Sequence, residues 1–195
     1  DSNVVSNHGH KGLYLRPRVG NEWRLRGNTI ENIVDNSIDL LGSSISTSEV
    51  SNNAGVGALV YINENTVKAG KNGILISDSQ GTITTKDISR NKLLGQIGGI
   101  GITVDGANSL VANNYVQMSG VGIAKGISLE SGGSGSDIVF NSVNVTGTDV
   151  VNGQGIVVNG GTNYRVKNNI FANNGGGYAA YINSDISTFD WDFNN

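Results

Sequence analysis

The chain has 195 residues, 13 basic against 16 acidic side chains for a net charge of −3, 29 glycines, one proline and no cysteine. This length suits one large domain with a substantial core. The charge balance predicts no binding of nucleic acid, the missing cysteines exclude disulfides and zinc–thiolate sites, and the lack of a long apolar run predicts no insertion into a membrane.

An asparagine followed within two residues by an apolar residue recurs along the chain. Its occurrences are "RLRGNTI" at Asn28, "YINENTV" at Asn65, "ISRNKL" at Asn91, "LVANNYV" at Asn114, "IVFNSV" at Asn141 and "RVKNNIF" at Asn169, and the final "FDWDFNN" brings Asn195 into the same phase. Successive spacings are 37, 26, 23, 27, 28 and 26 residues. We expect each repeated asparagine, such as Asn169, to hold a left-handed turn and to hydrogen-bond with its equivalents, and Asn168 to end the preceding strand.

A second motif, a short strand with alternating apolar residues and often a leading glycine, lies between these asparagines. Its copies are "GLYLR" at 12–16, "SIDLL" at 37–41, "GILIS" at 73–77, "GITVD" at 101–105, "GISLE" at 126–130, "GIVVN" at 155–159 and "AAYIN" at 179–183. Alternation directs every second side chain into a core. The predicted core residues are Leu15, Ile38, Leu40, Ile74, Ile76, Ile102, Val104, Ile127, Leu129, Ile156, Val158 and Ile182. The Ser-rich segment 41–58 is predicted to be a surface loop.

A repeat of twenty to thirty residues built from strands, without helical segments, predicts a solenoid in which each repeat is one coil and equivalent strands stack in parallel. We predict an all-β, right-handed parallel β-helix of about seven coils that forms a single domain over residues 1–195. Both ends of the sequence fall within coils. We therefore expect a fragment of a longer solenoid, with flanking coils or further copies of the chain covering the uncapped ends.

The two motifs resemble the right-handed parallel β-helix repeats of the pectate-lyase-like superfamily over nearly the whole chain. The segments "NNIFANNGGGYAAYI" and "FDWDFNN" look most similar to the generic repeats of secreted or surface bacterial proteins. The resemblance implies an extracellular or cell-surface location and a polysaccharide groove along the outer face of the Gly-Ile strands. It implies no single activity, because such folds carry lyases, hydrolases, epimerases, tailspikes and non-catalytic adhesin segments.

The strand phase defines two outward rows of residues on that face. The first row is Tyr14, Asp39, Leu75, Thr103, Ser128, Val157 and Tyr181, and the second row is Arg16, Leu41, Ser77, Asp105, Glu130, Asn159 and Asn183. From these rows the predicted substrate-binding residues are Tyr14, Arg16, Asp39, Thr103, Ser128, Asn159, Tyr181 and Asn183. Arg16 would neutralise an acidic sugar, or else serve as an edge charge that discourages strand addition.

Asp105 and Glu130 are neighbours in the second row and are the candidate catalytic residues. Stacked strands lie roughly 4.8 Å apart, so the two carboxylates could be the acid and the nucleophile of a retaining glycosidase, a Ca²⁺ site, or solvated surface charges. The segment "GGSGSD" at 132–137 matches a calcium-binding repeat, but its single copy favours a loop. Calcium is the one candidate cofactor.

Two functions follow as hypotheses. The first is an extracellular β-helix module that binds polysaccharide and either leaves it intact or cleaves or modifies it as a lyase, glycoside hydrolase or epimerase. The alternative is a non-catalytic structural segment of a surface adhesin, fibre or phage tailspike. A basic residue facing a cluster of calcium carboxylates, which the resemblance to lyases would require, is not evident in the sequence.

Overall fold

The computed structural model describes residues 2–6, 12–15, 22–31, 43–47, 57–78, 81 and 83–195. The strands are β1 (Val4–Ser6), β2 (Leu13–Leu15), β3 (Glu22–Arg26), β4 (Thr29–Glu31), β5 (Ser43–Thr47), β6 (Ala58–Asn63), β7 (Thr66–Lys68), β8 (Asn72–Ser77), β9 (Ile83–Ser89), β10 (Lys92–Asp105), β11 (Ser109–Ala112), β12 (Tyr115–Leu129), β13 (Asp137–Val139), β14 (Ser142–Val145), β15 (Gly153–Val158), β16 (Arg165–Lys167), β17 (Ile170–Asn173), β18 (Tyr178–Ile182) and β19 (Asp190–Asp192). Two short 3₁₀ turns cover Ser131–Gly133 and Ile186–Thr188.

The strands stack in parallel into three columns. The first column is β1-β4-β7-β10-β12-β14-β17, the second is β2-β5-β8-β10-β12-β15-β18, and the third is β3-β6-β9-β11-β13-β16-β19. β10 and β12 are long enough to belong to the first two columns and join them into one sheet. Among the described strands each column thus has seven rungs, separated by six steps from coil to coil, and the predicted parallel β-helix is confirmed.

The core is a stack of aliphatic side chains that point inward from the columns. Of the predicted core residues, those buried to at most 1% exposure are Ile74, Ile76, Ile102, Val104, Ile127, Leu129, Ile156 and Val158. Ile182 lies on the last rung and is only partly buried. Ile38 and Leu40 lie outside the described residues, as does the side chain of Leu15.

The second rung of the second column is not the predicted one. β5 (Ser43–Thr47) pairs with β2 on one side and β8 on the other, so Ser46 stands between Tyr14 and Leu75 in the row that had been assigned to Asp39. The predicted strand 37–41 lies outside the described residues. β5 contains a single aliphatic residue, the fully buried Ile45, so its alternation was too weak to recognise within the predicted loop.

The glycine that leads the Gly-Ile motif is required by the stacking of the second column. A β-carbon on Gly73, Gly101 or Gly126 would overlap the carbonyl oxygen of the glycine stacked on it in the next coil. On Gly155 it would overlap the carbonyl oxygen of Ala179. Side chains are therefore excluded at these four positions.

The repeated asparagines form a ladder that is buried from Asn28 to Asn169. The backbone N–H and the side-chain Nδ2 of each asparagine both donate to Oδ1 of the next; for Asn91 and Asn114 both distances are 3.0 Å. The rungs are Asn3, Asn28, Asn65, Asn91, Asn114, Asn141, Asn169 and Asn194. Asn3 is thus an unpredicted member, and the assignment of Asn195 was wrong by one residue.

The left-handed turn belongs to the residue before each ladder asparagine. Asn168 has a φ of 56°, and Asn113 and Phe140 have nearly the same value, whereas Asn169 is not left-handed. The ladder asparagine therefore supplies hydrogen bonds and its predecessor supplies the turn, which corrects the expectation for Asn168 and Asn169. Residues as bulky as Phe140 accept this conformation because their backbone N–H donates to the next coil, here to Lys167 O at 3.2 Å.

Within the described part of the chain, no helix has the length and apolar character needed to cross a membrane.

Candidate functional site

The outer face of the second column brings most of the predicted site residues together. Strand register aligns Thr103, Ser128, Val157 and Tyr181 in one row. The strand ends align Asp105, Glu130, Asn159 and Asn183 in the next row, because Glu130 N, Asn159 N and Asn183 N each donate to the preceding rung. The predicted rows are therefore correct over these four coils.

Three predicted residues cannot be placed in this face. Arg16 and Asp39 lie outside the described residues. The backbone of Tyr14 lies in β2, at the expected position of the first row, but its side chain is outside the described set. The described site thus occupies the C-terminal coils.

Ser128 points outward but is fully buried, in contrast to its predicted exposure. Its hydroxyl donates to Glu130 Oε1 at 2.6 Å, and Asn159 Nδ2 lies 3.5 Å from Ser128 Oγ. The side chains of the next row therefore lie over it. Ser128 is placed to position Glu130 rather than to contact a ligand.

The two predicted catalytic carboxylates occupy adjacent rungs but have separate hydrogen-bond partners. Both oxygens of Glu130 accept from Asn159 Nδ2 at 3.1 Å. Asp105 Oδ1 accepts from Gly132 N at 3.2 Å, in the turn that follows Glu130. Glu130 is thus held towards the C-terminal coils, beside the two asparagines of its own row.

Tyr164 lies beneath this pair of carboxylates and is almost completely buried. Its hydroxyl has two carbonyl acceptors, Glu130 O at 3.1 Å and Gly160 O at 3.0 Å. Burial, and then the negative charges of Glu130 and Asp105, raise the pKa of Tyr164 to about 12. The phenol therefore stays protonated and anchors the turn under Glu130 instead of serving as a base.

An open groove of about 380 Å³ lies on this face, beyond Glu130. It is lined by Lys125, Val151, Asn152, Gln154, Val157, Asn159, Tyr178, Tyr181 and Asn183. Tyr178 and Tyr181 are both exposed, with ring centroids 5.5 Å apart and planes inclined by 54°. Two aromatic rings and four amide side chains therefore share one surface, which we call the groove.

Three predicted residues, Asn159, Tyr181 and Asn183, line the groove, but Lys125, Gln154 and Tyr178 were not predicted. These three are aligned in register and precede the leading glycine or alanine of the motif. The sequence did contain a signal for them, because the residue before "GI" in successive repeats forms a row of its own. The predicted rows begin after the glycine and therefore do not include it.

No three His, Cys, Asp or Glu side chains in the described ranges come together in a way that could hold a metal ion. Asp105 and Glu130 are a pair without a third acidic neighbour of this kind. Calcium binding stays a prediction.

The model of one protein family, described as the right handed beta helix region, matches residues 20–192. The chain belongs to the right-handed β-helix family. No curated protein and no solved structure matches it significantly. Family membership establishes the handedness of this β-helix, and it leaves the activity to be argued from the groove.

Proposed function

We propose that this β-helix is an extracellular module that binds polysaccharide in the groove on the outer face of its second column. The observation that carries the proposal is the combination of two exposed tyrosines with four amide side chains on one open surface. Amides both donate and accept hydrogen bonds, as sugar hydroxyls do, and aromatic rings offer flat apolar surfaces. This combination suits a sugar chain better than an apolar ligand.

Part of the groove is already ordered before any ligand binds. Asn159 is fixed by its hydrogen bonds to Glu130, and Glu130 is fixed by Ser128. Gln154 lies within β15, and Asn159 and Asn183 directly follow β15 and β18. Such preorganisation lowers the entropic cost of binding a repetitive chain.

The test is binding of a polysaccharide panel by wild type and by Tyr181→Ala. We expect the variant to lose about tenfold or more in affinity, since truncating a tyrosine removes roughly 1.5–3 kcal/mol of apolar burial. Tyr115→Ala is the matched control, because Tyr115 is 42% exposed, similar to the 40% of Tyr181, but lies on the first column. Equal losses in both variants, or no binding by wild type, would refute the proposal.

Cleavage or modification requires Asp105 and Glu130 in addition to the groove. An assay that detects both released fragments and converted sugar units in the intact polymer, applied to every polysaccharide that binds, separates the two cases. If wild type forms products and Glu130→Gln and Asp105→Asn do not, the protein is a lyase, hydrolase or epimerase. Binding without products would restrict it to a binding module.

The alternative, a structural segment of an adhesin, fibre or tailspike, is favoured by a different surface. A hollow of about 410 Å³ on the last coil is lined only by Ile182, Ile186, Phe189 and Trp191. Ile186 is 59% exposed there. If this surface packs against a flanking coil or another copy, sedimentation should show that the protein associates. Ile186→Asp should weaken this association. A strict monomer at high concentration would count against the structural alternative.

A further inference from the structure

The groove contains one charged side chain, and that charge is unpaired. Lys125 forms no ion pair with any residue in the described ranges, whereas Lys68, Lys86 and Lys167 each pair with a carboxylate. No acidic residue lines the groove. The surface is therefore complementary to a ligand that carries a negative charge.

Gln154 provides a second feature of the groove, a buried hydrogen-bond acceptor without a donor. It lines the groove, is only 5% exposed, and donates from Nε2 to Val151 O at 3.3 Å. Its Oε1 is buried and accepts no hydrogen bond. A buried acceptor without a donor is unfavourable, so a ligand that brings an N–H or O–H to this side chain gains affinity.

Apolar surface adjoins these polar groups. Val151 is 62% exposed at one side of the groove, and Val157 lies in the groove lining between the rows that contain Gln154 and Asn159. A small apolar substituent such as a methyl group would be buried against Val151. Plain sugar hydroxyls would leave this surface unused.

We propose, on the basis of the polysaccharide-binding function above, that the groove selects an acidic sugar that carries an N-acetyl group. An acetamido group combines an N–H donor for Gln154 with a methyl group for Val151. Its carbonyl oxygen is an acceptor for the neighbouring amides, such as Asn152. The acidic group of the same sugar or of its neighbour pairs with Lys125.

The test compares four oligosaccharides of equal length by calorimetry. They are an alternating N-acetylhexosamine–uronate oligomer, a uronate oligomer, a neutral N-acetylhexosamine oligomer and a neutral glucose oligomer. We expect the first to bind about tenfold more tightly than either oligomer with a single feature, and the glucose oligomer to bind most weakly. A polyglutamate peptide is included as an acidic ligand without sugar.

Two variants assign the selectivity to residues. Lys125→Gln should abolish the preference for acidic over neutral ligands and reduce the salt dependence of binding. Lys92→Gln, which removes a charge on the first column, should leave both unchanged. Gln154→Leu should abolish the preference for N-acetylated over plain ligands. Each preference is a ratio measured on one preparation, so a partly unfolded fraction cancels.

The outcomes separate this proposal from the one on which it rests. If none of the oligosaccharides binds, polysaccharide binding itself is wrong. If they bind without the expected selectivity, or if the selectivity survives both Lys125→Gln and Gln154→Leu, polysaccharide binding stands and the acidic N-acetylated ligand is refuted. Tighter binding of polyglutamate than of any sugar would also refute it.

Discussion

Replacing one ladder asparagine tests how the coils are held together. In Asn114→Ala four side-chain hydrogen bonds are lost: Oδ1 accepts from the backbone and side chain of Asn91 at 3.0 Å, and Nδ2 donates to Ile88 O at 2.9 Å and to Asn141 Oδ1 at 3.0 Å. At about 1 kcal/mol for each bond, the variant should lose about 4 kcal/mol of unfolding free energy. The buried N–H of Asn91 is also left without its acceptor, which adds to the loss.

Asn113→Ala is the matched control, one residue earlier in the chain. Asn113 is exposed and left-handed, with a φ of 56°, and it contributes no ladder bond. Its replacement should cost only about 1 kcal/mol, from the poorer fit of alanine to this conformation. Urea unfolding followed by circular dichroism gives both values from the midpoints and slopes. If Asn114→Ala costs no more than Asn113→Ala, the ladder does not stabilise the coils and the reasoning is refuted.

Two further predictions concern the stacking and the buried phenol. Gly126→Ala should cost about 1–3 kcal/mol because its β-carbon would overlap Val143 Cγ1 and Gly155 O. Gly81→Ala, with no atom within 4 Å but a φ of +66°, should cost only about 1 kcal/mol, and equal losses in urea unfolding would contradict the steric explanation. The pKa of Tyr164 is raised from 10.0 to about 12. Because the unfolded chain loses this proton at lower pH than the folded protein, the contribution of Tyr164 to the unfolding free energy is complete below pH 10 and is lost as the pH rises to 12. This loss is about 3 kcal/mol, and Tyr164→Phe should not show it when unfolding is compared at about pH 9 and about pH 12.

The outer rows show how far strand phase can predict a site. Period-2 alternation placed Asp105, Glu130, Asn159 and Asn183 in one row because each stands at the same offset from the inward-facing residues of its own strand. Alternation could not show that Ser128 is buried, since that depends on Glu130 and Asn159, which come from two different coils. Direction is a local property of a strand, and exposure is not.

The missed and misplaced residues have the same origin. β5 has one core residue, Ile45, and it is identified by pairing with β2 and β8 rather than by its own pattern. Lys86 has a charged side chain yet is only 2% exposed, because Asp78 accepts from it at 2.9 Å. The first feature depends on strands from two other coils, and the second depends on an ion pair between residues eight positions apart. Strand alternation shows neither.

The sequence by itself determined the solenoid, its coil length, most core residues of the second column and most rungs of the asparagine ladder, because these repeat every coil and each copy supports the same interpretation. The tertiary structure decided which residue of "KNN" is left-handed, which serine is hidden, and that Lys125, Gln154 and Tyr178 share a groove with Asn159 and Tyr181. The physical reason is stacking: coils that follow one another at a spacing of roughly 4.8 Å bring residues about one coil length apart into contact, such as Asn91 with Asn114 and Asn141 with Asn169. The groove therefore requires residues from several stacked coils, and no single repeat contains it.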